Sequence, residues 1–238
     1  MIIIHDHRIP GKYLDILKCK ISGAVWCPFE CPASRTYESI KSHPDIHFFK
    51  LDKNSVVYSP SVGDETLRLL ARAGINLFPG LETPGAEYPA SSKYNAVRVG
   101  RKVFHNFKHT DKSVLEQIDA LKLEKIGVKQ GYTKCAVLLV GDSAMITSDT
   151  GISKAGIASG IDVLKVGPGG VTLEGEKCGF IGGASGNLPS GATIVLGDLK
   201  YHTDCLKITS FFSRQKIDLI CCDGLPIYDA GSLLVLDN

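Results

Sequence analysis

Three residues carry the groups that nucleophilic catalysis uses: Cys135, His202 and Asp204. A thiolate attacks electrophilic carbon, an imidazole moves protons near neutral pH, and a carboxylate orients the imidazole. Cys135 is predicted in a strand after the polar segment 130–134, where Lys134 would favour the thiolate. Each residue also has a structural interpretation. Cys135 would be a buried cysteine in a strand, and Asp204 would cap a helix start while His202 fills the turn. Both interpretations stay open at this point.

A second group of potential ligands has a spacing close to that of a Cys2His2 zinc module: Cys27, Cys31, His43 and His47. Pro44 follows the first histidine and interrupts the helix that would carry both imidazoles, and residues from Asp45 to Leu51 are predicted as a strand. We therefore predict neither a metal nor another cofactor, although the four residues leave the question open. The proline-rich segment 27–44 is predicted as an insertion loop.

Two glycine-rich segments, 167–170 and 179–186, resemble phosphate-binding loops only in composition. Neither fits the glycine spacing of a dinucleotide-binding loop or carries the Lys-Ser/Thr ending of a Walker loop. They are predicted as sharp turns and as places where two backbones approach closely.

The elements that position these residues repeat along the chain. A unit of strand, turn, strand, helix and strand recurs five times, with the landmark residues His5, Ser59, His105, Thr147 and His202. The first unit lacks its leading strand, and the apolar run 231–236 can supply it beside residues 1–5. The spacing therefore predicts an α/β fold of one domain, 1–238, in which five ββαβ units form a five-bladed α/β propeller of pseudo-fivefold symmetry, closed by the C-terminal strand.

Such a ring places one or two residues of each unit at its axis. The residues expected to face an axial cavity are Asn95, Cys135, Gly182, Gly183, His202 and Asp229. In this arrangement Cys135 and His202 lie on facing strands, Asp204 orients the imidazole, and Asp149 holds a cationic group. The expected partner is a small molecule bound at the axis.

The five-unit architecture resembles the pentein fold of the guanidino-group-modifying enzymes, which include arginine deiminase, agmatine deiminase and the amidinotransferases. In detail, four kinds of motif are similar to a bacterial family of that fold without an assigned activity: segment 130–135, segment 146–149, segment 179–186, and the His-Thr-Asp stretches at 109–111 and 202–204.

The resemblance implies a cysteine nucleophile, a proton-carrying histidine and carboxylates that hold the guanidinium. His202 and Asp204 match the His-x-Asp element of the deiminases. Segment 181–184, Ile-Gly-Gly-Ala, replaces Glu-Gly-Gly-Asp and lacks both carboxylates, and the last strand, 231–236, has no cysteine. Because a guanidinium buried without counter-charge costs several kcal/mol, we do not expect hydrolysis of arginine or agmatine.

Two classes of function remain. One is a hydrolase or transferase of a small polar molecule of guanidino or amidino type, with Cys135 or His202 as reactive groups. The alternative is a non-catalytic protein that binds a ligand or partner on the same ring, as a ribosome-associated translation factor of this fold does. Fold alone does not choose between them.

The amino-acid composition limits the classes of binding partner that we expect. The 27 basic and 25 acidic residues of the 238-residue chain nearly balance, which argues against nucleic acid and anionic membranes as partners. No apolar run approaches the roughly 18 residues that cross a bilayer. Eight cysteines without a secretory signal favour reduced thiols and a cytoplasmic location. The oligomeric state is not determined by the sequence.

Overall fold

The computed structural model describes residues 1–238 as a mixed α/β structure. In chain order, the strands are β1 Ile2–Asp6, β2 Val25–Phe29, β3 Phe48–Lys50, β4 Ser55–Tyr58, β5 Asn76–Pro79, β6 Val97–Val99, β7 Lys102–His105, β8 Glu124–Gly127, β9 Val137–Val140, β10 Ala144–Thr147, β11 Asp162–Lys165, β12 Val171–Thr172, β13 Ser185–Asn187, β14 Thr193–Val195, β15 Leu219–Cys221, β16 Ile227–Tyr228 and β17 Leu234–Leu236. The helices are α1 Gly11–Lys20, α2 Pro44–His47, α3 Asp64–Arg72, α4 Lys112–Ala120, α5 Thr133–Ala136, α6 Thr150–Ala158 and α7 Cys205–Gln215. Short 3-10 helices lie at Glu38–Ile40, Ala90–Ser92 and Leu199–Tyr201.

Five three-stranded sheets share one topology. Their strand orders are β17-β1-β2, β3-β4-β5, β6-β7-β8, β9-β10-β11 and β13-β14-β15, and β12 and β16 form a separate parallel pair. In each sheet the middle strand pairs antiparallel with the strand named first and parallel with the one named last. We call the strand named first the leading strand.

One helix of nine to eleven residues follows each middle strand and leads to its parallel neighbour. These helices are α1, α3, α4, α6 and α7, and a parallel pair needs such a crossover. Helix α3 ends before Gly74, which has a φ of +77°, a left-handed conformation that favours glycine directly after a helix. None of the helices is long and apolar enough to cross a bilayer.

The two ends of the chain meet in the first sheet. Ile2 pairs with Leu236, Ile3 with Val235 and Ile4 with Leu234, all antiparallel. This confirms the predicted pairing of the C-terminal segment with the N-terminal one.

Both faces of β1 are buried, which explains its unbroken isoleucines. Ile3 packs into a cluster of 25 buried residues that includes Leu17 and Phe211. Ile2 and Ile4 point to the other face, where the cluster contains Phe29, Leu70 and Leu236. Alternate residues of a strand face opposite sides, so β1 joins two cores.

The structure corrects two assignments of local structure. Residues Asp45 to Leu51 do not form one strand, because helix α2 occupies Pro44–His47 before β3 begins. Cys135 does not lie in a strand but in the short helix α5, directly before β9. Between β2 and α2 the chain is irregular except for one 3-10 helix, whereas Cys27 itself belongs to β2.

The landmark His202 is out of register with the other four. Residues 5, 59, 105 and 147 lie at or beside the ends of their middle strands, whereas His202 lies seven residues after Val195, the end of β14. The intervening turn contains Gly197, with a φ of +142°, and the 3-10 helix Leu199–Tyr201. The number of residues between successive landmarks is similar along the chain and therefore does not reveal this extra turn.

Leu236 provides a test of the terminal pairing. We expect Leu236→Ala to lower the free energy of unfolding by about 2 to 5 kcal/mol, because it opens a cavity in the cluster that contains Phe29 and Leu70. Leu206→Ala is the matched control, since Leu206 is 82% exposed, and urea unfolding measures both. Equal stability of the two variants would contradict the packing of β17.

Two buried histidines make folding dependent on pH. Nε2 of His47 donates to the Lys41 carbonyl at 2.9 Å, and Nε2 of His105 donates to the Gly131 carbonyl at 2.8 Å. Burial lowers the pKa of each imidazole to about 4, against 6.5 for an exposed histidine. Each therefore binds a proton on unfolding between these two values.

We expect stability to be retained above pH 6.5 and lost as the pH falls toward 4. The two histidines together predict a slope of about 2.3 kcal/mol per pH unit between pH 6 and 5. Urea unfolding across this range measures the slope, and His105→Gln should remove roughly half of it. A flat profile would show that neither imidazole is neutral in the native protein.

Candidate functional site

The segments that enter the five leading strands meet in one layer. The residues two or three positions before these strands are Asp45, Asn95, Cys135, Gly183 and Ser232, one from each sheet. All five are buried or tightly packed, and we call them, with Lys134 and Gly182, the polar layer.

Hydrogen bonds join these segments in a cycle. Four are between backbones, from N–H to carbonyl: Lys134 to Asn95 at 3.0 Å, Gly183 to Cys135 at 3.0 Å, Ser232 to Gly183 at 2.7 Å, and Asp45 to Gly231 at 3.0 Å. The Asn95 side chain closes the cycle, because its Nδ2 donates to the Asp45 carbonyl at 2.9 Å. Every leading strand is therefore fixed to two others at its start.

Side chains of the polar layer converge on the Asp45 carboxylate. Its Oδ2 accepts from Ser232 Oγ at 2.7 Å and from Cys135 Sγ at 3.3 Å. Asn95 Nδ2 also donates to Cys135 Sγ, at 3.1 Å, and Lys134 Nζ donates to Ser232 Oγ, at 2.8 Å. Oδ1 of Asp45 is buried without a hydrogen-bond partner in the protein.

Two glycines allow this convergence. A Cβ atom at Gly182 would overlap the carbonyl oxygens of Lys134 and Val137, and one at Gly183 would overlap the Asp229 carboxylate. Asp229 is buried, and its two oxygens accept from the backbone N–H groups of Phe180, at 2.8 Å, and Gly231, at 3.0 Å. Burial raises the pKa of this carboxyl group.

His43 lies beside the polar layer with Asp6. Its Nε2 is 3.9 Å from Asp6 Oδ2, and its Nδ1 is buried without a partner. The Asp6 carboxylate also binds the Arg8 guanidinium, with Nε to Oδ1 at 3.0 Å and Nη2 to Oδ2 at 2.6 Å. This ion pair is fixed further by Arg8 Nη2 donating to the Ser39 carbonyl at 3.0 Å.

Two cavities adjoin this region. The first, of about 480 Å³, is lined by Asp6, Arg8, Tyr37, Glu38, Ser39, His43, Leu173, Glu174, Gly175, Glu176, Tyr228 and Ala230. The second, of about 540 Å³, contacts Asp45, Lys134 and Ser232 and extends along the leading strands. His43 and Asp45, two residues apart in the chain, thus line different cavities.

The Cys135 thiol is a hydrogen-bond donor, not a thiolate. Burial raises its pKa well above the usual value, and the carboxylates of Asp45 and Asp229 raise it further. Burial also lowers the pKa of Lys134. This environment opposes the charge separation that a cysteine nucleophile requires.

Five of the predicted site residues come together in the structure: Asn95, Cys135, Gly182, Gly183 and Asp229. The space that a side chain would occupy is filled at Gly182 by neighbouring backbone and at Gly183 by Asp229. The two glycines therefore allow close packing and do not line open space.

The predicted partners of Cys135 lie elsewhere. His202 Nδ1 accepts from the Asp204 backbone N–H at 3.0 Å, and Asp204 accepts from the Gly167 N–H at 2.7 Å and from Lys207 Nζ at 2.6 Å. No hydrogen bond joins Cys135 to His202, because the extra turn after β14 holds His202 beside segment 167–170.

Asp149 and Asp204 each directly precede a helix, but only Asp149 caps its helix with its side chain. Asp149 Oδ1 accepts from the Ile152 N–H at 2.7 Å and caps α6, and Asp204 precedes α7. Burial lowers the pKa of His202. The predicted cap by Asp204 is wrong, because its side chain accepts from no backbone N–H of the first turn of α7, whereas Asp111 of the other His-Thr-Asp motif caps α4 by accepting from the Ser113 N–H at 2.8 Å.

Four residues of the site were missed by the sequence reasoning: Asp6, His43, Asp45 and Ser232. The predicted strand that begins at Asp45 and the zinc-like spacing that includes His43 gave neither residue a role in this site. The position two or three residues before each leading strand was the available signal, since it selects Asp45 and Ser232 together with Asn95 and Cys135.

The cysteines and histidines near the N-terminus separate into two environments. Cys31 Sγ lies 3.8 Å from His47 Nδ1 among buried serines, whereas His43 faces Asp6. No group of three or more histidine, cysteine or acidic side chains has the arrangement of a metal site.

Solved structures with the same fold are enzymes that act on guanidino compounds. SxtG, an amidinotransferase of Microseira wollei in the saxitoxin pathway, is 13% identical and aligns over 89% of this chain and 75% of its own, with a TM-score of 0.50. DDAH of Pseudomonas aeruginosa, a cysteine-to-serine variant complexed with citrulline, is 10% identical over 97% and 92%, with a TM-score of 0.52. A dimethylarginine dimethylaminohydrolase adduct with 4-chloro-2-hydroxymethylpyridine is 9% identical over 92% and 91%, with a TM-score of 0.54.

The chain is thus a pentein-like α/β protein, as its motifs predicted. It belongs to a family of unknown function, DUF6873, whose model matches residues 5–234. No protein of curated function matches the sequence significantly. At identities of 9% to 13%, the structural similarity establishes the fold and not the activity.

The state of Cys135 is testable by thiol labelling. We expect iodoacetamide at pH 8 to modify exposed Cys19 and Cys178 first, and Cys135 at least about tenfold more slowly, because its thiol is buried and protonated. Peptide mass spectrometry measures the rates, and protein unfolded in guanidinium chloride is the control in which all eight thiols should react alike. Preferential labelling of Cys135 would show an activated thiolate.

Proposed function

We propose that this protein binds a small cation of guanidino or amidino type in the first cavity, without thiol catalysis. The observation that carries the proposal is the charge of the cavity wall: four carboxylates, of Asp6, Glu38, Glu174 and Glu176, face one guanidinium, that of Arg8.

Arg8 does not neutralise this wall. Its guanidinium is paired with Asp6, so the remaining three carboxylates are not balanced by it. Glu38 pairs with Lys41 at 3.6 Å, and Glu176 accepts from Ser39 Oγ at 2.8 Å, whereas Glu174 forms neither an ion pair nor a hydrogen bond. A ligand cation would gain Coulomb energy from Glu174 and Glu176 without displacing a protein cation.

The rest of the wall suits a planar cation. Tyr37 and Tyr228 offer aromatic faces, on which guanidinium groups stack. His43 also lines the cavity, and its buried Nδ1 has no hydrogen-bond partner in the protein. Leu173 and Ala230 cover the apolar part of such a molecule.

The position of the cavity follows from a ring arrangement of the sheets. We propose that the five sheets are the blades of a propeller with pseudo-fivefold symmetry, in which β17 completes the first blade. The cycle of hydrogen bonds through the polar layer supports this, as does the proximity of β13 to both β9 and β17. The first cavity then lies at one end of the axis, with His43 at its base.

The alternative is a hydrolase or transferase that uses Cys135, with His202 and Asp204 as its proton carrier and orienting group. It receives less support, because the thiol donates to Asp45 and lacks an imidazole partner. Asp149, a proposed holder of the cation, is occupied in capping α6. We therefore favour the binding protein.

Agmatine is a suitable probe for the first cavity. We expect isothermal titration calorimetry to detect agmatine binding to the wild type, and the double variant Glu174→Gln/Glu176→Gln to weaken it by roughly fivefold, since each exposed charge contributes less than about 1 kcal/mol. Glu116→Gln, an exposed change on α4, is the control and should leave the affinity unchanged.

Two outcomes would count against the proposal. Agmatine binding that is absent, or that is equally strong in the double variant, would show that the first cavity does not select cations. Citrulline or ammonia release from arginine above background would instead support the enzymatic alternative.

A further inference from the structure

The second cavity is formed by the leading strands of all five sheets. Its wall includes Phe48 and Lys50 of β3, Val97 of β6, Leu139 of β9, Gly186 of β13 and Leu234 of β17. The polar layer forms its inner end, through Asp45, Lys134 and Ser232, and the turns that follow the leading strands surround its outer part. It is therefore separate from the first cavity.

The charge of this wall is opposite to that of the first cavity. Five cationic side chains line it, those of Lys50, Lys53, Arg98, Arg101 and Lys134, against three carboxylates, those of Asp45, Asp52 and Asp142. The excess of two positive charges lies in a cavity large enough for a small molecule.

Lys50 is the most informative of these residues. Its side chain is mostly buried, yet its amine forms no hydrogen bond and no ion pair in the protein, and the same amine is not enclosed by protein atoms. Burial and, less strongly, the nearby Lys134 together lower its pKa to about 8, whereas Asp142, Asp52 and Asp237 act in the opposite direction. An ammonium group that faces a cavity and has no partner in the protein is stabilised by an anion bound beside it.

The other cations differ in how much of their hydrogen-bonding capacity is used. Arg98 donates to the carbonyls of Leu51 and Gly100, and Arg101 to the Lys122 carbonyl. Lys134 is held only by neutral oxygens, of Ser232 and Gly182. The ammonium groups of Lys50 and Lys134 thus carry the charge that a ligand would meet.

We propose that the second cavity binds a small dianion of phosphate type, with Lys50 and Lys134 as its principal contacts. A dianion balances the excess of two positive charges. Ammonium groups are point charges that suit a tetrahedral oxyanion, whereas the planar guanidinium groups here already bind carbonyl oxygens. The bound anion would also restore the partner that the Lys50 amine lacks.

Inorganic phosphate and sulfate, titrated calorimetrically at pH 7 and constant ionic strength, test this proposal. We expect both to bind the wild type and Lys50→Met to weaken binding by about tenfold, the equivalent of roughly 1.4 kcal/mol for one charge-assisted contact. Lys154→Met removes one exposed charge on α6 and is the matched control, in which the affinity should stay within twofold. Equal binding by both variants, or none by the wild type, would overturn the proposal.

Labelling of the wild type gives a second readout that does not depend on a variant. Because a lysine of lowered pKa is a better nucleophile near neutral pH, we expect an acetylating reagent at pH 7.5 to modify Lys50 before Lys154. Phosphate should slow acetylation of Lys50 and leave Lys154 unaffected, as measured by peptide mass spectrometry. Equal rates of Lys50 acetylation with and without phosphate would contradict an anion at this amine.

Discussion

The cycle of hydrogen bonds before the leading strands is the constraint on which the structure depends. Each of the five segments must approach two others closely enough for direct N–H to carbonyl bonds, and Gly182 and Gly183 make this possible because no Cβ atom intervenes. Once the backbones converge, a buried polar side chain at this position needs a partner from another sheet. Asp45, Asn95, Cys135 and Ser232 provide these partners for one another.

The polar layer also separates two environments of opposite charge. His43 faces a cavity with acidic side chains, and Asp45 faces one with an excess of lysine and arginine. The layer itself contains a protonated thiol, a carboxylate and an amine whose pKa is lowered by burial. The hydrogen bonds among these groups favour a single packing of the layer, in which Oδ1 of Asp45 alone has no partner.

The solved structures of this fold named above are enzymes of guanidino compounds, and the chain shares their fold. Cys135 enters the structure from the fourth sheet and donates to Asp45 of the second, so the thiol takes part in holding the sheets together. Acidic side chains suited to a cation are present, but they lie on the loops around the first cavity and not in segment 181–184.

The patterns of strands and helices along the chain are local signals, and they were enough to predict five repeated units. They also predicted that the first unit lacks its leading strand and that the C-terminal segment supplies it. The sequence also identified Asn95, Cys135, Gly182, Gly183 and Asp229 as neighbours, since register relative to a strand is nearly local. Tertiary structure alone decided that His202 lies away from Cys135, because an extra turn after β14 changes the register without changing the motif. It alone placed Asp45 in the polar layer and His43 beside it, and it gave Cys135 its carboxylate partner. Burial and long-range contacts, which set the pKa of a thiol, are not encoded in the spacing of residues along the chain.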